Sequence, residues 1–307
     1  METKNPLFFG KVLLFGEYGI IKDSMGLSIP HHYYKGAFQF SQEFDATQAS
    51  SNGHLRKYRS YLGREDAPVQ FNLSQFDQDL ERGLYFDSSI PQGFGVGSSG
   101  ALVAAIYDRY ALDKIPANPN SASEIKELKR LFSWMESYFH GKSSGIDPTI
   151  CYMNLPLLIE NKDQLGAVQL PEQQGEGAVF LLNSGHPGET QPMVEIFMEK
   201  LKEEGFRSML KNQFIKYNDA CIQAFVEGDR GPLFTNLKKL SSLVLDYFDP
   251  MIPKGFHELW KEGLDTGEYY LKLCGSGGGG FVLGFTRDYN KVEKKFKHYQ
   301  PEVVYRF

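Results

Sequence analysis

Cysteine and tryptophan are scarce in this chain: 3 and 2 residues respectively among 307. Cys151, Cys221 and Cys274 are an odd number with no metal-like pairing, which excludes a disulfide scaffold and a cysteine-built zinc site and fits free thiols in a reducing compartment. No apolar run approaches the roughly 20 residues that span a bilayer, and Met1–Pro6 lacks the apolar core of a signal peptide. The expectation is a cytoplasmic protein with no membrane partner. A strongly basic surface is missing too. The formal net charge is -5 and lysines cluster only in short groups such as Lys294–Lys297, so nucleic acid is excluded and small molecules become the expected partners.

What is present is glycine, 31 residues of it, concentrated in a few loops. In Pro91–Gly100, PQGFGVGSSG, Gly93, Gly95 and Gly97 fall at every second position, and Ala101–Tyr107 continues as an apolar stretch of helix-forming residues. The stretch lacks the Gly-Lys-Ser/Thr ending of a P-loop. Glycines free the backbone to turn N–H groups toward one point, and Ser98 or Ser99 could cap the first turn, where the helix dipole adds roughly half a positive charge. Such a loop binds anions, usually phosphate; a plain structural turn is the alternative.

At 307 residues the chain exceeds one ordinary domain, and the polar stretch 165–177 is the expected boundary, dividing it into residues 1–170 and 171–307. Gly10–Ile21 reads as a buried strand, a turn at Gly16 and a second apolar segment, and 36–41 as a half-buried strand. Residues 42–68 are polar and read as a surface excursion. Strand patterns recur at 178–182 and on both sides of the glycine run 275–280.

Ser121 and Glu124 form a capping-box pattern, and Gly141 supplies a stop, so a helix is expected between them. Ile125, Leu128, Phe132, Met135 and Phe139 share one face. Glu136 falls about 20° from Ile125, on the apolar side. A carboxylate there must be paired, bind a metal or stand at the mouth of a cleft. Asp147, before Pro148, has the composition of a turn residue. Taken singly, Thr190 reads as a helix cap, Lys11 as a solvated lysine before a strand, and the late glycine run as a hairpin; His140 is assigned no chemistry.

In order along the chain, Gly-Lys-Val-Leu-Leu-Phe-Gly-Glu (10–17), Pro-x-Gly-x-Gly-x-Gly-Ser-Ser-Gly (91–100), Ser-Gly-Ile-Asp (144–147) and Gly-Ser-Gly-Gly-Gly-Gly (275–280) closely resemble the motifs of the GHMP small-molecule kinases, over nearly the whole chain. Within that superfamily the opening motif and Glu136–Asp147 are most similar to the mevalonate kinases. The resemblance implies an α+β protein of two domains, an N-terminal mixed α/β domain and a C-terminal ferredoxin-like one, with the active site in the cleft between them. It also implies ATP and Mg²⁺, a small acceptor alcohol, and a monomer or homodimer.

Roles follow from the resemblance and from what phosphoryl transfer needs: phosphates held, their charge offset, and the acceptor oxygen placed in line. Gly93, Gly95, Gly97, Ser98 and Ser99 would wrap the ATP phosphates. Ser99 and Glu136 would hold magnesium. Asp147 would take the proton of the acceptor hydroxyl, with Lys11 stabilising the charge that develops beside it. Lys11, Glu17, Ser144, Thr190, Gly275, Ser276 and Gly277 would face the acceptor. Three departures touch the acceptor side: Tyr18 stands where histidine is usual, Phe8-Phe9 where Ala-Pro is, and Ser143 where proline is. The acceptor that the resemblance favours is mevalonate, with phosphomevalonate or a sugar as the alternative. A galactokinase would show Gly-Glu-His-Thr-Asp, and a homoserine kinase would not show the lysine and aspartate pair. A silent metabolite sensor would have lost Lys11, Glu136 or Asp147, and all three are present.

Overall fold

The computed structural model describes residues 5–161 and 164–307, the side chain of His140 excepted. Residues 1–4 of the stretch read above for a leader therefore lie outside the described residues. Two compact units form. Unit 1 takes the chain to Lys11, Pro30–Pro91 and Gly97–Leu155; unit 2 takes Val12–Ile29, Gln92–Val96 and Pro156–Phe307. Strands β1 (Phe8–Phe15) and β2 (Gly26–Phe40) each run from one unit into the other.

In unit 1, helices α1 (Ala46–Leu62) and α2 (Leu73–Glu81) precede β3 (Leu84–Ser88), which pairs antiparallel with the far half of β2, Gly36 opposite Ser88 and Phe40 opposite Leu84. The stretch expected to be a surface excursion is thus mostly α1. Asp45 and Gln48 close a capping box at its start, and Leu55, Tyr58 and Leu62, three and four apart, bury one edge of it. Its polarity masks a narrow apolar stripe. The Tyr58 hydroxyl donates to the Met135 carbonyl at 3.0 Å.

Three further helices complete unit 1: α3 (Ser98–Tyr110), α4 (Ala122–His140) and α5 (Ile146–Met153). Ala101, Val103, Ala104, Ala105, Ile106 and Tyr107 are all buried, so α3 is apolar nearly all round and forms an interior helix. Ser121 caps α4 by accepting from the Glu124 N–H, but Glu124 Oε2 takes the Asn120 N–H, one residue short of a full capping box. Gly141 ends α4 at φ 73°, a conformation that side chains rarely adopt.

In unit 2, the near end of β2 pairs with β4 (Leu157–Asn161), and β4 with β5 (Gln164–Ala167). Then come β6 (Ala178–Asn183), helices α6 (Thr190–Lys200), α7 (Glu204–Met209), α8 (Ile215–Glu227), α9 (Arg230–Tyr247) and α10 (His257–Thr266), strands β7 (Tyr269–Leu273) and β8 (Phe281–Thr286), α11 (Tyr289–Phe296) and β9 (Glu302–Arg306). The last four strands order as β7-β8-β6-β9, every pair antiparallel. Strand, helices, two strands, helix, strand in that order is the ferredoxin-like arrangement expected of the C-terminal part. Among the described residues no helix is long and apolar enough to cross a membrane.

Candidate active site

Lys11 is the last residue of β1 within unit 1, and only 4% of it is exposed. Its Nζ lies 2.8 Å from Asp147 Oδ2, the Asp147 side chain being 37% exposed. A lysine buried this deeply needs a counter-charge, and Asp147 supplies one that still reaches solvent. Asp147 stands in the first turn of α5 after Gly145, whose φ of 73° opens the helix, so the helix dipole also favours its negative charge. Two glycines, Gly97 just before α3 and Gly100 within it, make room for the pair. A Cβ on Gly97 (φ 82°) would lie 2.9 Å from Lys11 Cγ, and one on Gly100 would lie 2.9 Å from the Asp147 carbonyl carbon.

Gly97 is the N-cap of α3, and no side chain caps that helix. The expectation that Ser98 or Ser99 would cap it is therefore corrected. Ser99 Oγ turns instead to Glu136, donating to Oε1 at 2.9 Å, while Ser143 Oγ donates to Oε2 at 2.5 Å. Glu136 is 4% exposed. Burial first, and the negative charge of Asp147 second, push its carboxyl from the ordinary 4.5 up to about 7, against the downward pull of the two hydroxyl bonds and of Lys11. Glu136 is thus a carboxylate held against its preference, in a nest of oxygen donors. Among the described residues no three His, Cys, Asp or Glu side chains cluster for a metal. One hydroxyl and one carboxylate fit Mg²⁺, which keeps waters and phosphate oxygens in its remaining positions. Ser143 was read only as a departure from proline. Ser144, the neighbour singled out by resemblance, has its Oγ 3.4 Å from the Ile146 N–H it accepts at the start of α5.

Glu17, Gly93, Gly95, Thr190, Gly275, Ser276 and Gly277 belong to unit 2. The Glu17 carboxylate is buried and paired with Lys272, itself 3% exposed within β7. A lysine inside the apolar run Tyr269–Cys274 was the available signal for this pair, since a charge in a buried strand requires a partner. Tyr18 donates its hydroxyl to the Ser276 carbonyl at 2.6 Å. Burial, and then the charge of Glu17, push the Tyr18 phenol well above its usual range, keeping it a donor. Thr190 opens α6 without capping it, and its Oγ1 accepts from Ser276 Oγ at 3.4 Å. The Gly188 N–H donates to the Gly93 carbonyl at 2.8 Å, and a Cβ on Gly95 would lie 3.0 Å from the Cys274 carbonyl oxygen. Gly277 has φ 75°, and a Cβ there would lie 2.2 Å from the Met251 carbonyl oxygen.

Residues 61–154, which hold α3, α4, α5 and therefore Ser99, Glu136 and Asp147, match the family model for the GHMP kinases N terminal domain. In fold the chain is similar from end to end to the mevalonate kinase of L. major in complex with R-mevalonate, with a TM-score of 0.66 and 15% identity over 98% of this chain and 95% of that one. It is similar also to the Streptococcus pneumoniae phosphomevalonate kinase in complex with phosphomevalonate and AMPPNP, with a TM-score of 0.64 and 14% identity over 99% of each. Residues 61–154 thus carry a GHMP kinase N-terminal domain, and with the curated relatives they support an ATP-dependent kinase that phosphorylates a hydroxyl. Among named relatives by sequence is the mevalonate kinase of Pyrococcus abyssi, 24% identical over 296 residues that cover 88% of this chain and 84% of that protein.

Proposed function

We propose that the chain transfers the γ-phosphoryl group of ATP to the primary hydroxyl of mevalonate, giving 5-phosphomevalonate for isoprenoid precursor synthesis in the cytoplasm. The observation that carries this reading is the Lys11–Asp147 pair at 2.8 Å, buried at its lysine end and open at its aspartate end. As the acceptor oxygen bonds to phosphorus, its proton passes to Asp147, and the bond from phosphorus to the oxygen bridging to ADP breaks, the electron pair leaving with ADP. Lys11 stabilises the charge on the acceptor oxygen and keeps Asp147 ionised. The uncapped N-terminus of α3 and the loop from Gly93 to Ser99 hold phosphates through backbone N–H groups. Ser99 and Glu136 would hold Mg²⁺, which when bound offsets the charge of the phosphates. By the resemblance, Ser144 in one unit and Thr190 with the turn 275–277 in the other would serve the acceptor, and Glu17 pairs with Lys272 in the strand that leads into that turn.

Phosphomevalonate is the second reading, left open by the departures at Tyr18 and Phe8-Phe9; the third departure, Ser143, bonds Glu136 instead. One assay separates them: ADP release by the purified protein with Mg-ATP against mevalonate, phosphomevalonate, galactose, homoserine and a blank. Release with mevalonate alone supports the first reading. Release with another acceptor keeps the reaction and changes the substrate, and no release with any of them, while ATP still binds, removes the reading.

A further inference from the structure

Tyr18 departs from its family's pattern and is also strained. Its φ of 60° and ψ of -36° lie outside the regions a bulky side chain prefers, so the surroundings must hold it there. They do so at two places. The ring packs against Phe197 and Phe248, centroids 4.6 and 5.7 Å away, and the hydroxyl donates to the Ser276 carbonyl. Ser276 in turn donates to Thr190, the residue that opens α6, and α6 carries Phe197 two turns later. Contacts therefore close a circuit from Tyr18 through Ser276, Thr190 and Phe197 back to the Tyr18 ring.

The glycine turn explains why a circuit is needed. Gly275, Gly277, Gly278 and Gly280 all have φ between 72° and 76°, conformations that glycine reaches without strain and also leaves easily. The later half of the turn is tied by backbone bonds, Gly278 N–H to the Met251 carbonyl and Gly280 N–H to the His186 carbonyl, each 2.7 Å. The Ser276 end is tied by the Tyr18 hydroxyl. An imidazole is shorter than a phenol and would leave that carbonyl unmet.

We propose that Tyr18 is a positioning residue that sets acceptor selectivity: it touches no acceptor itself but fixes Ser276 and Thr190 in one arrangement. The proposal rests on the kinase reading above. Its test uses the full-length protein and two variants, Tyr18→Phe, which keeps the ring and removes the hydroxyl, and Tyr18→His. With Mg-ATP and mevalonate, Tyr18→Phe raises the KM for mevalonate about tenfold, the scale of one lost, partly buried hydrogen bond, while the KM for ATP stays within about twofold. Tyr18→His shifts the ratio of kcat/KM between mevalonate and phosphomevalonate by about tenfold or more. Independently of turnover, hydrogen exchange in a peptide spanning 274–280 quickens about tenfold in Tyr18→Phe, with a peptide spanning 98–110 unchanged.

Unchanged exchange at 274–280 overturns the anchoring claim, and KM values for ATP and mevalonate that rise together overturn the selectivity claim. If the wild type turns over no acceptor, the kinase reading falls and takes selectivity with it, while the exchange comparison still decides whether Tyr18 anchors the turn.

Discussion

Replacing Glu136 by glutamine should stabilise the metal-free protein, and the gain should depend on pH in one direction. The carboxyl sits at about 7 in the fold against an ordinary 4.5, so the fold prefers its protonated form. Below about pH 4.5 that preference costs nothing, because the group is protonated in both folded and unfolded chains. As pH rises toward 7 the unfolded chain releases the proton and the folded chain keeps it, so wild-type stability falls; above about 7 the loss is complete. At about 1.36 kcal/mol per pH unit the gap between 4.5 and about 7 is worth about 3 kcal/mol. Glu136→Gln carries no such charge and keeps an acceptor for the Ser99 hydroxyl. Urea unfolding in EDTA is the assay. With a slope of about 3 kcal/mol per molar, the variant's midpoint should exceed that of wild type by about 1 M at pH 8 and by much less at pH 5. Equal midpoints at pH 8, or a gain that is the same at both pH values, would refute the idea that a buried charge is being held for a ligand.

Three other outcomes follow from the same geometry. Asp147→Asn should lower turnover by about a hundredfold or more while a fluorescent ATP analogue still binds, and near-normal turnover removes Asp147 from proton transfer. Lys272→Met strips the buried Glu17 of its cation and should cost about 3–5 kcal/mol in urea unfolding, most of it recovered when Glu17→Gln is added; no recovery means that the two do not act as a pair. Gly97→Ala puts a methyl 2.9 Å from Lys11 Cγ at a φ of 82°, so stability should fall by about 1–3 kcal/mol and turnover with it; unchanged turnover would mean that Lys11 tolerates displacement.

Local patterns carried much of this molecule into view. Of the face shared by Ile125, Leu128, Phe132, Met135 and Phe139, the first four are buried and Phe139 at the helix end is half-buried, and Ser121 and Gly141 bound α4 where their chemistry predicts. The strand, glycine turn and strand at 269–286 are also there. Glu136 could be suspected because a carboxylate on an apolar face needs a reason. What stayed hidden is what periodicity cannot express. Asp45 and Gln48 begin α1, yet its apolar stripe is too thin to stand out from its polar residues. Ser143 bonds Glu136 because α4 ends in a tight turn, and the links from Glu17 to Lys272 and from Tyr18 to Ser276 join residues 255 and 258 positions apart. Ser98 and Ser99 misled in the opposite way. Local preference makes serine a good cap, but a buried carboxylate across from Ser99 offers a stronger acceptor.

The interrupted make-up of the two units bears on how the chain is made. Unit 1 has all its segments once Leu155 has emerged, whereas Val12–Ile29 belongs to unit 2 and is synthesised ahead of most of unit 1. Gly26–Ser28 pairs with Leu157–Ile159, about 130 residues later. At about 5–20 residues per second, that stretch waits on the order of ten seconds for its partner strand. During the wait the start of β2 lacks part of its pairing, so slow, non-local folding is built into the order of the chain. For the same reason neither unit can be excised as one continuous fragment: a clone of residues 156–307 alone would lack the strand segments that unit 2 takes from Val12–Ile29.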